Sequence, residues 1–171
     1  LQSVQEVDVT RLEDFYGLFK TKKIAEKALQ GIDSNNELCA KLVGLDRGPG
    51  PCFQHKLGRC KGACIGEEDV TRYNLRVQIA FHSLQLKKWP YKGAIAVREC
   101  QSFTGKTDIH IIYGWIHLGT VNSDTELDDF NVSGRVRACL EGETTFDADG
   151  YRVITKILMA PKNRPQIIEL N

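Results

Sequence analysis

The chain contains no apolar run near 18 residues, so no stretch of it can cross a bilayer as a helix. It has a single methionine, Met159, and begins with Leu1, which leads us to read it as part of a longer protein with sequence upstream. Its start carries no signal-peptide pattern. With no export signal in view, the expected compartment is the reducing cytoplasm, where structural disulfides are rare. No Ser/His/Asp arrangement, HExxH motif or phosphate-binding glycine loop is present. No C-x2-C pair is present either. That absence removes the paired knuckles of zinc ribbons and the redox motif of thiol oxidoreductases. No internal repeat or low-complexity segment interrupts the chain.

What remains is globular. Of 171 residues, 42% are hydrophobic and 26% charged, which is enough apolar material for a core. The net charge of +1 does not by itself indicate a nucleic-acid partner, but the charges are unevenly placed. Residues 15–66 hold nine Lys/Arg against four Asp/Glu, whereas residues 100–171 hold seven against ten. The basic part is also the part rich in cysteine.

Periodicity separates two regions. Residues 1–19 read as the end of a larger unit, extended around Val7–Val9 and Phe15–Phe19. Apolar positions at 24, 25, 28, 29 and 32 predict a helix, with Gly31 as its stop. Ser34 and Glu37 fit a capping box for a second helix, with Leu38, Leu42 and Leu45 on one face and Cys39 in its first turn. DRGPGP (46–51) is loop, and Gly58, Gly62 and Gly66 keep the next segment irregular. A helix follows over 67–86, and Trp89-Pro90 marks a boundary after it. Beyond 89 the period turns towards two. AIAVREC (94–100) and DIHIIYGWIHLGTV (108–121), joined by SFTGKT as a hairpin turn and with Gly114 as a turn or bulge, are expected strands, as are YRVITKIL (151–158) and QIIEL (166–170), and Ser123 opens a helix. The expected fold is α+β. A helical cysteine-rich region, 1–88, precedes a small antiparallel sheet domain, 89–171, with one or two helices.

The segment CFQHKLGRCKGAC (52–64) carries three cysteines with only basic charges between them. Counting back to Cys39 gives Cys39, Cys52, Cys60 and Cys64 in the pattern C-x12-C-x7-C-x3-C. Four soft sulfur donors suit either structural zinc or an iron–sulfur cluster. The wide, uneven spacing favours the cluster. Positive residues and backbone N–H groups nearby would keep the thiolates ionised. His55 could substitute for one thiol, although an exposed polar role fits it better. Cys100 and Cys139 lie far off and are expected to pack. The carboxylates of TELDDF and FDADG are expected on a solvated helix face and in a turn, and His110 and His117 on the solvent face of strands.

Longer stretches carry a resemblance. YGLFKTKKIAEKALQ, LCAKLVGL and GPCFQHKLGRCKGACIGEE resemble the bacterial UvrC group of excinucleases just after its GIY-YIG nuclease domain. WPYKGAIAVRE, TDIHIIYGWIHLGTVNS and FDADGYRVITKIL are similar to the short, Cho-type branch of that group; the same region occurs in exonuclease–GIY-YIG fusion proteins. The resemblance runs from about residue 15 to the end. It implies nucleotide excision repair, with recruitment by the damage-loading protein UvrB and incision of damaged DNA on the 3′ side of the lesion. It also implies that Cys39, Cys52, Cys60 and Cys64 ligate a 4Fe–4S cluster. The catalytic motifs of the nuclease are not in these residues, so the chain is expected to have no catalytic residue and not to cut DNA.

Two further readings stand beside each other. Lys56, Arg59 and Lys61 would form a phosphate-facing surface held by the cluster, giving sequence-independent, salt-dependent DNA binding. The acidic half, 89–171, would be a protein-interaction module with UvrB as partner. The alternative for the whole is a zinc-stabilised protein-interaction module of a DNA-repair or replication nuclease. A redox enzyme is disfavoured by the C-x3-C spacing.

Overall fold

A computed structural model describes residues 1–160 and 165–170. They fall into two compact units: Leu1 with Asp14–Leu86, and Gln2–Glu13 with Lys87–Asn171. The whole has the α+β character expected, with helices around the cysteines and a four-stranded antiparallel sheet.

In the first unit, helix α1 spans Lys22–Asn35. Thr21 starts it, its hydroxyl accepting from the Ile24 amide at 3.3 Å. Gly31 does not stop it; the helix runs to Asn35 and ends where the Asn36 amide and Nδ2 both bond the Ile32 carbonyl. Ser34 therefore lies inside α1, and the capping box expected at Ser34–Glu37 does not form. Glu37 adopts φ 49°, which turns the chain out of the helical path. Residues 38–45 follow as hydrogen-bonded turns rather than a second helix, with Val43 N to Cys39 O at 3.0 Å and Leu45 N to Ala40 O at 2.8 Å. Leu38 is buried but Leu42 is exposed, so the apolar spacing there marks no helical face.

The cysteine segment contains one short helix, α2 (Phe53–Lys56), and a 3-10 turn at Ala63–Ile65. Helix α3 spans Val70–His82, shorter at both ends than the sequence predicts. Asp69 caps it by accepting from the Arg72 amide, so Glu67 and Glu68 lie before the helix. Residues 15–17 pair with 84–86 through Gly17 N–Leu84 O at 2.8 Å and Leu86 N–Phe15 O at 2.9 Å. The extended reading survives at Tyr16. It fails at Val7–Val9, which separates or enters 3-10 turns at Val4–Glu6 and Val9–Asp14.

The second unit is built on β1 (Ala94–Cys100), β2 (Thr107–Tyr113), β3 (Ile116–Val121) and β4 (Gln166–Leu170), in the order β3-β2-β1-β4. All pairings are antiparallel. Gly114 (φ 57°) and Trp115 (φ 69°) make a two-residue turn of the type that matches strand twist. Trp115 is held there by burial to 1% exposure and by its indole N–H, which donates to the Lys87 carbonyl at 2.7 Å.

Three helices accompany the sheet: α4 (Asp124–Asp129), α5 (Val132–Leu140) and α6 (Ala148–Leu158). One sheet face buries Ala96, Ile109, Ile111, Leu118 and Val121 with Cys139 and partly buried Leu127, Phe130, Val132 and Val136. The expected strand at 151–158 is α6, which raises the helix count above the one or two expected. Its β-branched residues resemble a strand, but its buried positions are Tyr151, Ile154 and Leu158, a helical spacing. Asp147 decides the matter locally, its carboxylate accepting from the amides of Asp149 and Gly150 at 3.0 Å each. Tyr151 then packs 5.5 Å from Trp115 and accepts from the Lys87 amide at 2.7 Å. Cys139 is buried as expected; Cys100 is exposed instead of packed, because it ends β1 beyond the covered part of the sheet.

Candidate metal centre

The four cysteines singled out by spacing converge. Cys39, Cys52 and Cys64 offer sulfur atoms that all lie within 4.8 Å of one another and could hold a metal ion. Cys60 belongs to the same buried cluster, and its thiol interacts with those of Cys52 and Cys39. Cys39 and Cys52 are completely buried, Cys60 nearly so, and Cys64 partly. Tyr73 and Val77 of α3 and Ala63 supply the apolar wall.

The local chain explains how the site is held. Cys39 sits in the turns after α1, Cys52 immediately before α2, Cys60 before the 3-10 turn and Cys64 inside it. Backbone amides point at the sulfurs: Leu42 and Lys41 at Cys39, His55 at Cys52, and Gly62 at Cys60. Gly62 has φ 78°, and a Cβ there would fall 2.6 Å from Glu67 Oε2 and 2.8 Å from Glu67 Cβ. Only glycine lets the chain double back between Cys60 and Cys64 at that point.

Amides aimed at sulfur suit thiolates, since an anionic sulfur is a much stronger acceptor than a thiol. The protonation pattern of the free thiols is uneven. Burial drives the Cys39 thiol up to about 12, and burial also raises Cys60. Cys52 is buried too, but the His55 amide and the Cys60, Cys39 and Cys64 thiols stabilise its anion more, and its pKa is lowered. Uncompensated, four thiolates would repel strongly in this dry pocket; a bound cation removes that cost. The donor set therefore fits a soft metal centre.

Around the thiols lies a polar second layer. Arg76 forms a two-pronged pair with Glu68, with Nη2 at 2.7 Å from Oε2, and places its guanidinium 5.6 Å from the centre of the Tyr73 ring. His55 bonds Glu67 Oε2 at 2.8 Å through Nε2, the polar role expected of it. Asp46 ties the preceding loop to the site by accepting from the amides of Phe53 and Gly48 at 2.9 and 2.8 Å.

The three cations predicted to face phosphate differ. Lys56 and Arg59 are exposed, while Lys61 pairs with Glu37 at 3.0 Å. Glu37 and Tyr73 were not legible as parts of the site, and the sequence implies backbone amides at the thiols without indicating which ones. Only Gly62, two residues after Cys60, carries a sequence trace of that geometry. In the two acidic motifs, Glu126 and Ser123 cap α4 and Asp147 caps α6. His110 and His117 share the Thr120 hydroxyl at 2.9 and 3.0 Å on the partly exposed sheet surface.

Comparison with known proteins adds the lineage. Residues 2–83 match the family described as UvrC/Cho excinuclease, middle domain, and residues 94–171 match Excinuclease Cho C-terminal domain. Excinuclease cho of Salmonella typhi is 37% identical over 172 residues, covering 99% of this chain and 54% of the relative. Excinuclease cho of Escherichia coli (strain K12) is 35% identical over 159 residues, covering 91% and 50% respectively. The chain thus spans about half the length of the curated relatives it matches. No solved structure matches it significantly.

Proposed function

The chain belongs to the UvrC/Cho family of excinucleases, and on that premise we propose that it is the non-catalytic portion of a nucleotide excision repair endonuclease. The parent enzyme incises damaged DNA on the 3′ side of the lesion, in the cytoplasm, with its nuclease centre outside these 171 residues. Cys39, Cys52, Cys60 and Cys64 ligate a 4Fe–4S cluster whose role here is to fix the backbone of 52–64. Lys56 and Arg59, with Lys61 as a lesser contributor, meet DNA phosphates. The acidic half, 89–171, contacts UvrB. The chain comprises a cysteine-bearing domain, 1–88, and an α+β domain, 89–171, a division that the break between Leu86 and Lys87 supports.

The observation that carries this reading is the convergence of the four cysteines in one buried cluster with amides directed at their sulfurs. The test is anaerobic purification followed by iron and sulfide analysis and a visible spectrum. About four irons and four sulfides per chain are expected for a 4Fe–4S cluster. Each single Cys→Ser variant at 39, 52, 60 or 64 should lose the visible absorption.

One observation favours a second reading. In a tetrahedral zinc site with Zn–S near 2.3 Å, sulfurs lie about 3.8 Å apart, and three sulfurs already within 4.8 Å approach that spacing. The zinc form makes the chain a zinc-stabilised interaction module of a repair nuclease. One zinc per chain, without iron or sulfide, would establish it and overturn the cluster.

A further inference from the structure

Phe53 and Leu57 are among the exposed apolar residues of the first unit, with Ile24, Leu42, Val70, Leu75 and Ile79. They are 63% and 50% exposed, and they sit on a segment whose backbone is held at several points. Cys52 and Cys60, both buried, pin its two ends. The Phe53 amide is held by Asp46, the Leu57 amide bonds the Phe53 carbonyl, and the Arg59 amide bonds the Gln54 carbonyl. Four residues apart on one turn of helix, Phe53 and Leu57 lie on the same face. A rigid backbone that presents a phenylalanine and a leucine to water has the form of a binding element, not of a misplaced core residue.

The charges beside this pair identify its partner. Lys56 lies between Phe53 and Leu57, and Arg59 follows two residues later; both are exposed. Two carboxylates lie close by in sequence: Asp46 accepts from the amides of Phe53 and Gly48 and attracts Lys56, and Glu67 bonds His55. Apolar side chains rimmed by cations complement DNA whose bases are partly unstacked: cations take the phosphates and the apolar group takes the gap between bases. An aromatic ring also stacks on any base, so the contact needs no sequence preference.

We propose that Phe53 and Leu57 form an apolar wedge that enters a DNA duplex at an unstacked base step, while Lys56 and Arg59 grip the adjoining phosphates. This deepens the DNA-surface reading above and rests on it. It makes the cysteine segment a sensor of local duplex distortion as well as a phosphate contact.

The experiment uses the full 171-residue chain and two labelled duplexes, one fully paired and one with a central two-base mismatch. A 2-aminopurine beside the mismatch reports unstacking. Wild type should bind the mismatched duplex more tightly and brighten the 2-aminopurine. Phe53→Ser and Leu57→Ser should each bind the paired duplex as wild type does. On the mismatched duplex Phe53→Ser should lose about tenfold in affinity, with the fluorescence change. Phe53→Trp should restore both. The Ser substitutions are at exposed positions, and an unchanged melting temperature identifies the folded variants. Equal binding of both duplexes by wild type, or full retention of the preference by both folded Ser variants, overturns the wedge. Lys56→Ala with Arg59→Ala should weaken binding to both duplexes alike. No weakening on either duplex overturns the phosphate surface and with it the proposal that rests on it, whereas weakening here with the preference retained in both Ser variants overturns the wedge alone. No DNA binding by wild type overturns both.

Discussion

Replacing Lys56 and Arg59 together by alanine offers a quantitative measure of the phosphate surface. Each phosphate contact contributes about −0.9 to the slope of log K against log salt on duplex DNA. Two exposed cations without a carboxylate bonded to them account for a slope of about −1.8. Across a fourfold rise in salt, from roughly 50 to 200 mM, that slope is worth about a twelvefold loss of affinity, which the double variant should no longer show. Lys61 provides an internal control. Its ammonium lies 3.0 Å from Glu37 Oε2, so much of its charge is already answered. Lys61→Ala alone should move the slope by less than half of one contact, whereas Glu37→Gln frees Lys61 and should steepen it towards one more contact, about 0.9. Fluorescence anisotropy with a labelled duplex, repeated at several salt concentrations, reads all four proteins. A double variant with the wild-type slope would refute the assignment. A Lys61→Ala effect as large as that of Lys56 or Arg59 would refute the pairing argument.

Asp33 is buried to 3% exposure and its Oδ1 has no hydrogen-bond partner among the described residues. Burial raises its pKa above 3.8, so ionisation costs the folded state more than the unfolded one. Below the unfolded value both states are protonated and the cost vanishes; it grows as pH rises from the unfolded to the folded pKa and is complete above the folded pKa. Asp33→Asn should therefore raise the melting temperature at pH 7 and leave it unchanged near pH 3, and an equal shift at both would contradict this. Asp147→Ala removes the acceptor for two amides at the start of α6. It should cost about 1 kcal/mol, or about 2–4 °C in melting temperature; chemical denaturation that shows no loss would mean the cap contributes nothing.

Much of the second unit was legible because its period is unambiguous. AIAVREC is β1 residue for residue, and the Gly114-Trp115 turn divides the predicted 108–121 run into β2 and β3. The reading failed where local pattern and tertiary demand diverge. Val153, Ile154, Thr155 and Ile157 favour a strand by composition, but Asp147 nucleates a helix and the aromatic group around Trp115 needs Tyr151, Ile154 and Leu158 on one side. At Ser34 the capping-box residues were present, yet α1 had already extended through them, so the pattern had no helix left to start.

By itself the sequence determined the α+β class, the four-cysteine set and the charge asymmetry, because each is a matter of residue type and spacing. Spacing along the chain says nothing of distance in space, and three decisions were left to the tertiary structure. It brought Cys39 from the turns after α1 to the cysteines of the glycine-rich segment, where burial and directed amides make them one donor set. It paired Lys61 with a carboxylate 24 residues away in sequence and left Lys56 and Arg59 with no carboxylate bonded to them among the described residues. And it turned Phe53 and Leu57 outward on an anchored backbone, which no hydrophobicity pattern announces, because only the packing around Cys52 and Cys60 determines which side of that short helix meets water.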